Sequence, residues 1–89
     1  MSAKTITYDP QAPGRDYTTL FDAIKAFGAW CHIAESVWIV VTEASVVEIR
    51  DALLKVVDGN DLLVVLELSG TWACANVLDT QAAWLKKNL

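Results

Sequence analysis

Asp9 is the residue of this sequence whose position most clearly allows chemistry. It follows the strand-like run 5–8 and precedes a loop that holds both prolines of the chain and Gly14. Ligands and metal ions are often bound where a strand opens into a loop. An Asp at such a place also commonly caps the loop through hydrogen bonds to nearby backbone. A metal-binding role and a loop-capping role are therefore both open for Asp9.

The single histidine and the two cysteines limit the other chemistry. His32 excludes histidine pairs within one chain, and its neighbour Cys31 should point to the opposite face of a strand, so the two do not form a dyad. We expect His32 to be a hydrogen-bonded residue of the sheet. Cys31 and Cys74 lack the spacing of a zinc site or of a disulfide scaffold, which predicts two buried, reduced thiols.

Four tryptophans are many for a chain of 89 residues. They could form a base-stacking platform on an open sheet face, or they could pack in the core and in a dimer interface. Packing is favoured, because the predicted strands that carry the tryptophans have no interleaved Arg or Lys. Trp30 and Trp38 are expected to be partners across a hairpin.

The loop before the first helix offers a weak phosphate-binding signal. Gly14 in the run Pro13-Gly14-Arg15 would let a phosphate approach backbone amides at the helix start. The simpler interpretation is a surface loop in which Arg15 pairs with Asp16 or Asp9.

Length and composition predict one small domain, residues 1–89, that associates with itself. With 54% hydrophobic residues, apolar surface should remain after a monomeric core has formed, so we expect a homodimer. A net charge of −4 with only seven Lys and Arg disfavours nonspecific DNA binding. The start of the sequence has no apolar signal region, and the run 62–66 is too short to span a bilayer, which predicts a cytoplasmic protein without a membrane partner.

Periodicity and capping signals predict an alternation of strands and helices. Ser45 and Glu48 form the pattern of a capping box, Asp16 is placed to cap the first helix, and Gly28 is placed to end it. The segment 69–78 is ambiguous. The predicted elements are a strand at 4–9, a helix at 17–27, strands at 29–34 and 36–42 with a turn near Glu35, a helix from Ser45 to the breaker 58–60, a strand at 62–66 and a helix at 80–89.

This order predicts an α+β fold, a ferredoxin-like βαββαβ sandwich with a C-terminal helix. In that topology the first and third strands are central and the fourth lies at an edge. The fourth strand, however, is apolar on both faces, and exposed edge strands normally carry charges or proline. We therefore predict an interface at Leu62, Val64 and Leu66, covered by a second protomer or by a strand swapped from the segment around Trp72.

Several short motifs resemble those of small bacterial proteins labelled SinR family. The shared pattern is YD-x-x-x-PG-x-x-Y, then a tryptophan and a histidine before the hairpin, S-x-WIV, IRD-x-L and a terminal WLK-x-x-L. The residues that fill it are Tyr8, Asp9, Pro13, Gly14, Tyr17, Trp30, His32, Ser36, Trp38, Ile49, Arg50, Asp51, Leu53, Trp84, Leu85 and Lys86.

In topology the chain also resembles the CRISPR-associated small integration subunit and virulence-associated protein D. The motifs in common are Tyr8-Asp9, Gly28 and Ser36-Val37-Trp38, although Glu35 stands near the place where the integration subunits have a glutamine. The resemblance implies metal-dependent nuclease activity. Two Asp9 carboxylates across a dimer axis, with Asp16 as a further ligand, would hold one Mg²⁺ or Mn²⁺ that activates water against a phosphodiester.

The sequence thus predicts a small homodimeric interaction or nucleic-acid-associated module, reaching RNA or DNA through a partner complex. One alternative is a metal-dependent endoribonuclease that uses Asp9. Another is a toxin–antitoxin or phage-defence component that acts through protein contacts.

Overall fold

The computed structural model describes residues 2–9, 17–57, 59 and 61–89. Within these ranges the chain forms four strands and three helices, so the predicted α+β class is confirmed. No helix of the described residues is long and apolar enough to cross a lipid bilayer. The elements are β1 (Ser2–Asp9), α1 (Thr18–Lys25), β2 (Ala29–Ala34), β3 (Val37–Thr42), α2 (Val46–Leu53), β4 (Leu62–Glu67) and α3 (Asp79–Asn88).

The described strands form one antiparallel sheet in the order β2-β3-β1-β4. Ile6 lies in the middle of it, opposite Trp38 of β3 and Val65 of β4. β2 and β3 are joined by the predicted turn at Glu35, and a bulge between His32 and Ala34 shifts their register. β1 and β3 are therefore central, and β2 and β4 form the two edges.

The core lies between one face of the sheet and the helices α1 and α2. Side chains of a strand alternate between its two faces, so Ile6 and Tyr8 of β1 point to the same side as Trp38 and Val40 of β3. They pack against apolar residues from one stripe of each helix. The cluster consists of Ile6, Tyr8, Leu20, Ile24, Trp38, Val40, Ile49 and Leu53.

The two core helices begin in different ways. At α2 the predicted capping box is present, with the Glu48 amide donating to Ser45 Oγ and the Ser45 amide donating to the Glu48 carboxylate. At α1 the N-cap residue is Tyr17, whose side chain makes no capping hydrogen bond. Asp16, which the sequence placed at this cap, lies outside the described residues.

The second face of the sheet is covered in part by residues 68–89. Leu85 of α3 is buried, while the segment 68–78 has no regular secondary structure. A cavity of about 380 Å³ remains between this segment and the sheet, bordered by Ile39, Trp72 and Leu85 among others. No residue of β4 borders this cavity.

Gly28 joins α1 to β2 at a point where no side chain fits. Its φ is 152°, and a Cβ atom would collide with the carbonyl oxygen of Val41.

We expect Gly28→Ala to lower the free energy of unfolding by more than about 1 kcal/mol, because the strain and the collision add. Denaturant unfolding measures this change. Gly59→Ala is the matched control, since its added Cβ meets no atom within 4 Å. Equal stability of both variants would contradict the assigned geometry.

Candidate functional site

Asp9 is the last residue of β1, and its side chain is exposed. Its partner in β4 is Leu62, so Asp61, one residue earlier, lies near the same end of the sheet. Asp16 and the run 13–15 lie outside the described residues. In the described part of the chain, no group of three or more His, Cys, Asp or Glu side chains is placed to hold a metal ion. The sequence did not point to Asp61, because its place depends on the register of β4 against β1.

The predicted interface residues form an exposed apolar strip along β4. Leu62 is 48% exposed, Val64 41% and Leu66 56%. They share the sheet face that points away from α1 and α2, whereas Leu63 and Val65 pack against the core. One face of β4 thus packs in the core of the monomer, and the apolar side chains of its other face remain at the surface.

The backbone of β4 is unpaired along its outer edge. The Leu68 amide donates to the Ala3 carbonyl over 2.9 Å, and antiparallel hydrogen bonding alternates along the strand. Leu62, Val64 and Leu66 therefore bond to β1, while the amide and carbonyl groups of Leu63, Val65 and Glu67 point outward. These outward groups have no hydrogen-bond partner among the described residues.

The opposite edge of the sheet is partly occupied by a side chain of α3. Gln81 Nε2 donates to the carbonyl oxygens of His32 and Ile33, over 3.2 Å and 3.5 Å. Gln81 Oε1 in turn accepts a hydrogen bond from the Leu78 amide over 3.0 Å. The two ends of one amide thus tie the start of α3 to the outer edge of β2.

His32 belongs to an aromatic cluster on the helix-facing side of the sheet. Its ring stacks on Trp38 at a centroid distance of 4.0 Å, and Phe21 contacts it at 5.5 Å. Its Nε2 lies 3.0 Å from the Glu35 carbonyl oxygen, which confirms the expected hydrogen-bonded sheet residue. The expected contact of Trp30 with Trp38 is also present, at 5.3 Å.

Tyr8 links this cluster to the hairpin turn. Its hydroxyl donates to the Glu35 carbonyl over 3.0 Å. Burial raises the pKa of Tyr8 above its ordinary value of 10.0; the Trp38 side chain opposes the shift, and Glu35 and Tyr17 add to it. The phenol therefore stays protonated, and able to donate, well above neutral pH.

Lys4 is a buried charge at the other end of β1. It is only 2% exposed, and its Nζ donates to Ser2 Oγ and to the Thr42 carbonyl over 2.8 Å and 2.9 Å. Glu67 Oε1 lies 3.8 Å away. A cavity of about 450 Å³ opens here, lined by polar residues only: Ser2, Lys4, Thr42, Glu43, Ser45 and Glu67.

Sequence reasoning missed Lys4, although a signal was present. The alternation that buries Ile6 and Tyr8 puts Lys4 on the same face of β1. A lysine on a core-facing position is expected to have hydrogen-bond or ionic partners.

The cysteine prediction was half wrong. Both cysteines are free thiols, but only Cys31 is buried, whereas Cys74 is exposed. Cys74 lies in the irregular segment 68–78, whose path the local sequence pattern does not determine. Burial raises the pKa of the Cys31 thiol, which lowers its reactive thiolate fraction.

Compared with protein-family models, curated proteins and solved structures, the chain matches none of them.

The two thiols should differ in reactivity. With an aromatic disulfide reagent at pH 8, we expect one thiol per chain, Cys74, to react at once, and Cys31 to react only as the protein unfolds. Cys74→Ser should remove the fast phase and leave the unfolding transition unchanged, since an exposed side chain contributes little packing. Two equally fast thiols, or stoichiometric zinc bound through either one, would contradict inert structural cysteines.

Proposed function

We propose that the protein is a small homodimeric interaction module of ferredoxin-like topology. The strand order β2-β3-β1-β4, with α1 and α2 on one face, is compatible with the βαββαβ arrangement. The observation that carries the proposal is β4, which combines an unpaired edge with exposed Leu62, Val64 and Leu66. Such an edge is a template for pairing with another chain.

A second copy of this chain fits the edge in two ways. In the first, β4 pairs with β4 of the partner about a two-fold axis, so that the two apolar strips lie side by side and both rows of outward backbone groups are satisfied. In the second, the segment around Trp72 leaves the face of its own sheet and adds as a strand to the partner's β4. The irregular backbone of residues 68–78 supports the second arrangement, because exchanging it breaks no helix or strand.

The dimer should depend on the β4 strip. Light scattering at micromolar concentration is expected to give about twice the chain mass of 9.8 kDa. Val64→Lys should shift the mass to that of a monomer, because the dimer would bring the two new ammonium groups close together within the shared apolar strip. Leu78→Lys is the control, since Leu78 is also an exposed apolar residue but lies beside β2, at the opposite edge of the sheet. A wild-type monomer, or a Val64→Lys variant that stays dimeric, would contradict the proposal.

Association with nucleic acid, within this proposal, passes through a partner complex. The chain carries a net charge of −4, and phosphate neutralisation by Lys and Arg supplies most nonspecific affinity. The module therefore contributes shape and protein contacts, while a basic partner contacts the phosphates.

A metal-dependent endoribonuclease is the second candidate. It is favoured by one observation, the exposed carboxylate of Asp9 at the strand end where Asp61 also arrives. This candidate needs a two-fold axis that brings the Asp9 ends of two sheets together, which antiparallel β4–β4 pairing does not do. In such a dimer these ends would supply acidic ligands to one Mg²⁺ or Mn²⁺, which would activate water for attack on a phosphodiester. Dimerisation alone does not require this activity.

The nuclease candidate makes a separate prediction. If purified wild type cleaves RNA in Mg²⁺ or Mn²⁺, then Asp9→Asn should lower the rate by about a hundredfold or more, because an amide keeps the shape but not the charge that holds the metal. Asp22→Asn, an exposed carboxylate on α1, is the control and should cleave normally. Equal cleavage by Asp9→Asn, or cleavage that persists in EDTA, rules out the metal-carboxylate mechanism.

A further inference from the structure

A groove runs along the outer edge of β2, where α3 begins. Its volume is about 260 Å³, slightly below the usual range of about 300 to 1,000 Å³ for drug-sized ligands. Two tryptophans and the only histidine of the chain lie on its walls. The lining residues are Trp30, Cys31, His32, Leu78, Thr80, Gln81 and Trp84.

The aromatic walls of this groove are held in place by the core. His32 stacks on the buried Trp38 at 4.0 Å, and Trp30 contacts the same indole at 5.3 Å. Trp30 nevertheless remains 41% exposed. A large aromatic surface is thus held by the core and still partly exposed, which suits a flat ring as ligand.

The floor of the groove offers backbone hydrogen bonds. The Tyr8 amide donates to the Ser36 carbonyl, so by alternation the even-numbered residues of β3 bond to β1 and its odd-numbered residues bond to β2. Cys31 is opposite an odd-numbered residue of β3 and bonds to it. The backbone groups of Trp30 and His32 therefore point outward. Gln81 occupies the His32 carbonyl, so a peptide strand cannot pair along this edge. The Trp30 amide and carbonyl have no partner among the described residues, and they can pair with the polar edge of a planar ring.

One positive charge lies over the aromatic wall. Lys25 Nζ lies over the Trp30 ring, 4.8 Å from its centre, and the Lys25 residue is exposed. A flat ring that stacks on Trp30 would displace this ammonium group, which would stay within reach of a phosphate attached to the ring. The net charge of −4 opposes a long polyanion, so a ligand with a single phosphate fits better than a strand with many.

We propose that this β2-edge groove binds a nucleotide. The base stacks on Trp30, its polar edge meets the Trp30 backbone, and its phosphate lies near Lys25. The site is independent of the proposed dimer, because the groove and the β4 strip lie at opposite edges of the sheet.

The four tryptophans provide the readout. In a ¹⁵N NMR titration, each indole N–H gives one signal, and Trp→Phe variants assign the signals. Adding AMP or UMP should shift the Trp30 and Trp84 signals together. The Trp72 signal should stay in place, since Trp72 lies against the opposite sheet face. The Trp38 signal, from a buried indole, reports that the fold is intact.

Two pairs of variants test the contacts. Trp30→Ala should weaken AMP binding about fivefold or more, followed through the Trp84 signal, and Trp30→Phe should keep part of the affinity. Lys25→Gln should weaken AMP roughly two- to fivefold and leave adenosine unchanged. The matched controls are Trp72→Phe and Lys55→Gln, an exposed lysine after α2, and both should bind as wild type does.

The outcomes separate the ligand sources and can overturn the site. Tighter binding of a short single-stranded oligonucleotide than of AMP identifies a base within a strand, and binding of AMP alone identifies a free nucleotide; both support the groove. No shift of the Trp30 or Trp84 signal by millimolar AMP, UMP or oligonucleotide overturns the proposal. Unchanged AMP affinity in Trp30→Ala, with the Trp38 signal in place, overturns it as well.

Discussion

The position of β1 between two neighbours is the constraint on which the rest of the structure depends. Its even-numbered residues bond to β3 and its odd-numbered residues bond to β4. The same alternation sends Ile6 and Tyr8 to the helices and Thr5 and Thr7 to the other face. A slip of one residue would exchange these sets and bury threonines under α1 and α2. One register therefore determines the core and the apolar strip on β4 together.

Local features were predictable because short-range chemistry determines them. The capping box at Ser45 and Glu48, the β-rich run of β3 and the turn at Glu35 are each encoded within a few residues. Helix ends were less predictable: α2 stops at Leu53, ahead of the Gly59 region expected to end it. Local signals for stopping a helix are weak where the following residues continue as turns.

The candidate sites were less predictable because they depend on long-range placement. The exposure of Cys74 follows from the irregular path of residues 68–78, and the approach of Asp61 to Asp9 follows from strand pairing. Neither has a local signature. Lys4 had one, the alternation of β1, but charged residues are rarely assigned to a core. Its burial is compensated by hydrogen bonds to Ser2 and Thr42.

The bond from Gln81 to the β2 edge has a consequence for stoichiometry. A sheet with two open edges can add copies at both ends and grow into a filament, which is the hazard of exposed strands. Here one edge is occupied by the chain's own amide side chain. When two copies join through β4, both β4 edges are paired and only the β2 edges, each partly occupied by Gln81, face outward. Assembly by strand pairing then stops at two chains, because the Gln81 side chain prevents a further chain from pairing with β2.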